Sequence, residues 1–264
     1  MTIRNVGGIL GAQLSSASKD SSGIFSLDEQ YNFKIQTRWD VNYVFQGLLL
    51  NLDAGSLNSY PGSGTTWFDL SGNNNGTLVN GPTYDSANFG SLVWASNRVC
   101  TVPMANLRPT QITQECWFKL SSNSVQVFIG AQYGSSTNNT YALWLENTNS
   151  LAAGVNIAGT FNWQNQSFTL TTGIWYHFVH TYDGTNQIMY MNGVSVRTWA
   201  TTGAIAYDSN NTLLAVGNDW SSGYNGGASS GVLGNLGIVR LYNRSLSASE
   251  VQQNFNFLRS RYGI

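Results

Sequence analysis

Charge is scarce in this chain. Only 9% of its 264 residues are Asp, Glu, Lys or Arg, against about 25% in an average soluble domain. The formal net charge is -1. Lys19, Lys34 and Lys119 are the only lysines, and the arginines are scattered, with Arg259 and Arg261 the closest pair. That distribution makes no track for a phosphate backbone, so no nucleic-acid partner is expected. Cysteine is limited to Cys100 and Cys116, and histidine to His177 and His180. So small a set provides neither a disulfide framework nor a zinc site. Both thiols are expected to be free and buried, with a disulfide between them as the alternative. No apolar run reaches the roughly 18 residues of a membrane span. The stretch "TIRNVGGILGAQLSS" after Met1 lacks a basic leader, so no signal peptide is expected and synthesis is assigned to a cytoplasm. No repeat with a period of about 20–50 residues is present.

What the chain does have is apolar and aromatic bulk. Hydrophobic residues make up 42%, including nine Trp, thirteen Tyr and twelve Phe, and there are 28 glycines. The polar remainder is mostly Ser, Thr and Asn, a mixture that favours strands and tight turns over exposed helices. Residues 1–46 read as an attachment arm, with a small-residue start and a short helix or irregular segment around 26–33. From 47 onward the pattern is strand-like. The first core strand is expected in "GLLLNLDAG". Others are expected at 76–80, 91–95, 98–103, 112–120, 125–132, 140–146, 151–157, 167–170, 175–183, 187–192, 194–199, 213–217 and 231–242. Many short strands separated by turn signals predict an all-β sandwich or barrel.

The segment "GIWYHFVHTYDGTNQIMYMNG" is the most informative. Strand alternation puts Trp175, His177, Val179 and Thr181 on one face, and Tyr176, Phe178, His180 and Tyr182 on the other. Bulk on both faces places this strand near the centre of a sheet. Asp183-Gly184 turns it back, and Asn192-Gly193 makes a two-residue hairpin into "VSVRTW". Near the end, Ser247 and Glu250 have capping-box spacing. Val251, Phe255 and Leu258 form an apolar stripe, and Gly263 closes the helix. This helix is expected to dock against the sandwich edge.

Four ordered motifs carry a resemblance. The hairpin just described, "WFDLSGNNNGTLVNGP", "ITQECWFKL" and the closing "LAVGN…GVLGNLGIVRLYNRSLSASEVQQNF" together resemble the concanavalin A-like, laminin G-like jelly-roll domains over residues 47–264. The resemblance implies a two-sheet antiparallel jelly-roll sandwich with a short C-terminal helix. A second resemblance lies in "SGIFSLDEQYNFKIQTRW", which is similar to leaders before variable domains in virion proteins of tailed bacteriophages. The ending "VQQNFNFLRSRYGI" is similar to phage-associated members of the same jelly-roll group.

Some relatives of that fold are glycosidases, which need two carboxylates about 5–9.5 Å apart. Here Asp28 and Glu29 are adjacent and would point apart in a strand, while Asp69, Asp85, Glu115, Glu146 and Asp183 each stand alone. The two histidines face opposite ways, and no G-x-S-x-G elbow is present. A non-catalytic protein is expected. The resemblance also raises structural calcium, held by acids in the closing strand. Gly237 and Ile238 occupy those positions here, so no cofactor is expected. Asp69 is the weak metal candidate, and an Asx turn closing "DLSG" is the preferred reading. The glycine-rich loop "GNDWSSGYNGGASSG" presents Asn218, Asp219, Trp220, Tyr224 and Asn225, a set suited to glycan binding, with Trp67 and Tyr60 in another long loop.

Together these readings predict a virion structural protein made in the host cytoplasm. A capsid decoration protein is preferred over a fibre, because the chain lacks a shaft, heptads and repeats. The alternative is a tail-fibre or tail-tip protein binding host-surface glycans. Other virion proteins are the expected partners of the arm, through Tyr31, Phe33 and Trp39, and a homo-oligomer is expected. His177, His180 and Asp183 are read as sheet and turn residues. His177→Gln is therefore expected to lower the melting temperature while leaving ligand or partner binding unchanged. A calorimetric scan beside a binding assay checks this, and lost binding at an unchanged melting temperature would contradict it.

Overall fold

The structure is a computed structural model that describes residues 43–72, 74–132, 139–209, 211–219 and 230–264. The proposed anchors Tyr31, Phe33 and Trp39 lie outside the described residues, as do Trp220, Tyr224 and Asn225. Residues 43–264 form one compact unit. It contains sixteen described strands: β1 (Leu48–Asp53), β2 (Thr66–Trp67), β3 (Gly76–Val79), β4 (Thr83–Asp85), β5 (Ser91–Trp94), β6 (Val99–Pro103), β7 (Ile112–Leu120), β8 (Gln126–Gln132), β9 (Asn139–Asn147), β10 (Ser150–Ile157), β11 (Thr160–Ser167), β12 (Trp175–Tyr182), β13 (Asn186–Met191), β14 (Val194–Ala200), β15 (Leu213–Val216) and β16 (Gly234–Tyr242). The helix α1 (Ala248–Tyr262) follows.

Two antiparallel sheets result, as the jelly-roll expectation required. The first runs β14-β13-β12-β7-β16-β5-β4, and β1 pairs with β16 beside β5. The second runs β11-β10-β9-β8-β15-β6-β3-β2. Between them lies the main core, where Phe118 of β7 and Phe128 of β8 stack at 4.5 Å between ring centroids. The strand β12 sits between β13 and β7, and both of its faces are buried. Its bulky alternation was the signal of that position. At the next turn Asn192 and Gly193 both take positive φ, 49° and 81°, the geometry an Asn-Gly hairpin requires.

Several expectations are corrected. The short strands β2 and β4 were not anticipated, since two or three residues carry too little pattern. The strand placed at 167–170 lies instead at β11. A tight turn through Ala158 (φ 51°) and Gly159 (φ 88°) folds β11 back on β10. Alanine at positive φ is an uncommon turn residue. Here the Asn156 side-chain oxygen accepts the Gly159 amide at 2.8 Å and supports it. Finally, α1 docks on the outer face of the first sheet and not at the sandwich edge. Phe255, Leu258 and Tyr262 pack on Trp117, Trp175 and Ile238, which belong to the adjacent strands β7, β12 and β16. The capping box of Ser247 and Glu250 and the left-handed Gly263 form as the sequence indicated.

Gly237 makes this docking possible. It sits at an irregularity in the β16–β7 register, between Leu236 and Ile238. A Cβ there would come within 2.1 Å of the Tyr262 hydroxyl oxygen. Gly237→Ala is expected to push the last turn of α1 off the sheet and cost about 1–3 kcal/mol, the usual range for overpacking. Urea unfolding gives the loss, and faster amide exchange confined to α1 identifies its origin.

Candidate functional site

Beneath α1 lies a buried polar network. The Glu115 carboxylate, wholly inaccessible on β7, accepts from His177 Nε2 (3.1 Å) and Arg240 Nη1 (3.2 Å) through one oxygen and from Asn254 Nδ2 of α1 (2.7 Å) through the other. Arg240 Nε donates to Asn51 Oδ1 of β1 at 3.0 Å, and its guanidinium lies over the Tyr43 ring at 4.1 Å. Asn254 Oδ1 accepts the Val44 amide at 2.8 Å. Residues 43–44, assigned above to the arm, are thereby fastened to the sandwich. Every charged group here is spent on a neighbour in the fold. Trp117 and Phe255 also stack on His177, so the arrangement is structural. His180, on the opposite face of β12, belongs to a separate chain of bonds. Gln114 Nε2 lies 3.0 Å from its Nδ1 and Gln187 Oε1 lies 2.9 Å from its Nε2, which together hold the neutral Nε2–H ring.

The outer face of the second sheet is built differently. Cross-strand pairing from β11 to β2 defines one row: Trp163 opposite Gly154, then Ala142, Gly130 and Ala215, ending in Thr101, Thr77 and Thr66. Four consecutive positions therefore carry no side chain beyond Cβ. At one end is an aromatic cluster. Trp144 and Trp163 face each other across β10, which presents only Ala152 and Gly154 between them. Their centroids are 5.4 Å apart and their planes tilted by 55°, and Phe161 lies 5.8 Å from Trp144. Trp163 is 40% exposed. The Trp144 indole N–H donates to a carboxylate oxygen of Glu146, two residues along the same face. Near mid-row, oxygens of Asp219 and Asn139 lie 3.7 and 3.9 Å from where a Cβ on Gly130 would stand.

The sequence-selected residues fare unequally. Asn218 is fully buried. Its amide nitrogen donates to the Ser96 and Arg98 carbonyls (2.8 and 3.3 Å) and its oxygen accepts the Asp219 amide (2.8 Å). Asn218 thus ties the end of β15 to the turn after β5, and no polar atom of its side chain is left for a sugar. Of the two described residues of that set, Asp219 reaches the sheet face described above. Tyr60 and Trp67 are core residues. Asp69 closes an Asx turn: it accepts from the amides of Asn51 and Ser71, the Ser71 hydroxyl and the Asn74 amide. With both of its oxygens so used, and with Ile238 buried against α1, these residues do not fit a calcium ion. Among the described residues no three His, Cys, Asp or Glu side chains gather as metal ligands. Cys100 and Cys116 are free, buried and on different sheets, and burial pushes both thiols up. Among the described residues no helix is long and apolar enough to cross a membrane. Trp144, Phe161 and Trp163 went unselected, because the two tryptophans lie nineteen positions apart and only the β9–β10–β11 register unites them.

A laminin G model described as the concanavalin A-like lectin/glucanases superfamily matches residues 94–252, more than half of the chain. The chain belongs to the concanavalin A-like lectin/glucanases superfamily. Solved structures agree on the fold. Domain 4 of AbnA, a GH43 extracellular arabinanase from Geobacillus stearothermophilus in complex with arabinotriose, is 17% identical with a TM-score of 0.58. That alignment covers 80% of this chain and 98% of that one. The binding domain of botulinum neurotoxin DC in complex with SialylT is 12% identical with a TM-score of 0.58, and covers 81% and 52%. Trypanosoma rangeli sialidase in complex with sialic acid is 16% identical with a TM-score of 0.56, and covers 81% and 33%. This chain thus spans about half of the toxin domain and a third of the sialidase. No curated protein matches it significantly.

The buried groups of this lectin-type domain make its stability depend on pH. Burial drives the His180 pKa from 6.5 down to about 3, against a smaller upward pull from Gln187. For Glu115, burial alone would raise the carboxyl, but Arg240, His177 and Asn254 outweigh it and hold the group below its usual range. Both folded values are depressed. The unfolded chain therefore binds protons that the folded one refuses, and stability falls with pH: from 6.5 downward for His180, and below the ordinary carboxylate range for Glu115. The His180 slope approaches about 1.4 kcal/mol per pH unit. Denaturant unfolding from pH 7 to 4 should show this decline, and His180→Gln should flatten it between pH 6.5 and 5, where carboxylates barely titrate.

Proposed function

We propose that this chain is a non-catalytic glycan-binding module carried on the exterior of a tailed-bacteriophage particle. The observation that carries the binding reading is the outward face of the second sheet. There, an aromatic cluster with Trp163 40% exposed stands at one end of a row of small, buried residues that runs across the strands to a threonine ladder. Aromatic faces take the apolar faces of sugar rings, while flanking Asn and Thr groups take hydroxyls, as polar groups in largely apolar ligand sites do. Two rings tilted by 55° suit a single sugar unit more than a flat polysaccharide surface. The neighbours solved with arabinotriose, SialylT and sialic acid are consistent with a sugar ligand on this fold.

Absence of catalysis is supported by where the acids sit. Glu115 is sealed under α1, and Asp69 and Asp183 hold turns. Asp53 and Glu250 pair with Arg261 and Arg244. The virion setting rests on the leader-like segment at 22–39 and on its anchors Tyr31, Phe33 and Trp39, which would leave the sandwich facing outward. Many copies on one particle turn weak single sites into strong attachment. Such a site serves a decoration protein and a tail-tip protein alike, and a purified particle labelled against this chain distinguishes head from tail.

Trp163→Ala is expected to weaken binding on a glycan array by about tenfold or more, about 1.4 kcal/mol. The melting temperature should move by no more than about 4 °C, because the substitution removes one aromatic pair from an edge strand. Retained binding on the array would place the site elsewhere.

A further inference from the structure

The second sheet is nearly devoid of charge, and what charge it has is of one sign. None of its eight strands contains a Lys or Arg. Its strands contribute one acid, Glu146, and Asp219 follows three residues beyond the end of β15. The Glu146 carboxylate is bonded to the Trp144 indole, whose ring is 5.4 Å from that of Trp163. A negative charge is therefore built into the edge of the aromatic cluster. Further along the same row, an Asp219 carboxylate oxygen lies 3.7 Å from where a Cβ on Gly130 would stand. Among the described residues, Arg197 of β14 donates to the Asn165 carbonyl (2.8 Å) and the Gln164 side chain (2.6 Å) at the sheet edge.

Recognition of a sugar carboxylate, as in sialic or uronic acids, calls for a guanidinium fork or an ammonium. Here an acidic sugar stacked on Trp163 would meet a carboxylate of its own sign. Building on the glycan-binding reading above, we infer that this face selects neutral glycans and rejects acidic ones. A like charge several ångströms away, partly desolvated, weakens binding by about fivefold to tenfold. The penalty fades as salt screens it.

The test uses the full chain on immobilised oligosaccharides of glucose, galactose, mannose and arabinose, each beside its uronic-acid or sialylated counterpart. The expected result is binding to at least one neutral member, with its acidic counterpart bound about fivefold or more weaker. Raising the salt to about 0.5 M should narrow the gap. Glu146→Gln keeps an oxygen for the Trp144 N–H and removes the charge. It should close the gap by raising acidic-glycan affinity while neutral affinity changes less than about twofold. Acidic glycans bound as tightly as neutral ones, or a gap untouched by Glu146→Gln, would overturn the inference and leave glycan binding standing. Neutral binding that survives Trp163→Ala would likewise overturn the assignment to this face. No binding to any member would overturn the inference and the glycan-binding reading together.

Discussion

The constraint on which the rest depends is the buried pair of Glu115 and Arg240. An ion pair sealed from water must recover the hydration it gives up, and it does so only when every remaining lone pair and N–H has a partner. Satisfying these two side chains requires β7, β12, β16, β1 and α1 to be in place together, because His177, Asn51 and Asn254 come from three of those elements. Loss of one partner from such a pair typically costs about 3–5 kcal/mol, since the other is left charged and buried. The network therefore fixes where α1 lies, and with it which residues enter the domain from its N-terminal side.

Fixing α1 divides the work between the two sheets. The first sheet has its outer face closed by Phe255, Leu258 and Tyr262, so its charges and histidines are committed to the fold. The second sheet has no helix across it among the described residues. Its outward positions carry small residues, threonines and tryptophans; the small ones are buried and Trp163 is 40% exposed. Small residues matter here for a geometrical reason. Trp144 and Trp163 reach each other across an intervening strand only because Ala152 and Gly154 leave room.

Much of the fold was legible in the chain, because the relevant signals are local. The bulk on both faces of β12, the Asn192-Gly193 hairpin and the Ser247–Glu250 cap each act within a few residues. The burial of His177 and His180 on opposite faces followed from alternation alone. The misplaced β11 had a local cause too, an alanine in a turn position that usually demands glycine or asparagine. The misjudged helix position did not. An apolar stripe of Val251, Phe255 and Leu258 says that α1 packs, but not against what.

The candidate site divides along the same line. The sequence by itself determined the composition of the surface: few charges, many aromatics, abundant Asn and Thr, and acids spaced too widely for a catalytic pair on one strand. It also marked the loop that begins at Asn218. Only the tertiary structure decided that Asn218 is spent on the carbonyls of Ser96 and Arg98, and that Trp144, Glu146 and Trp163 share one patch. Alternation tells which side of a strand a residue takes, whereas neighbours across strands are set by register. Register is a property of the whole sheet, and no stretch of sequence contains it.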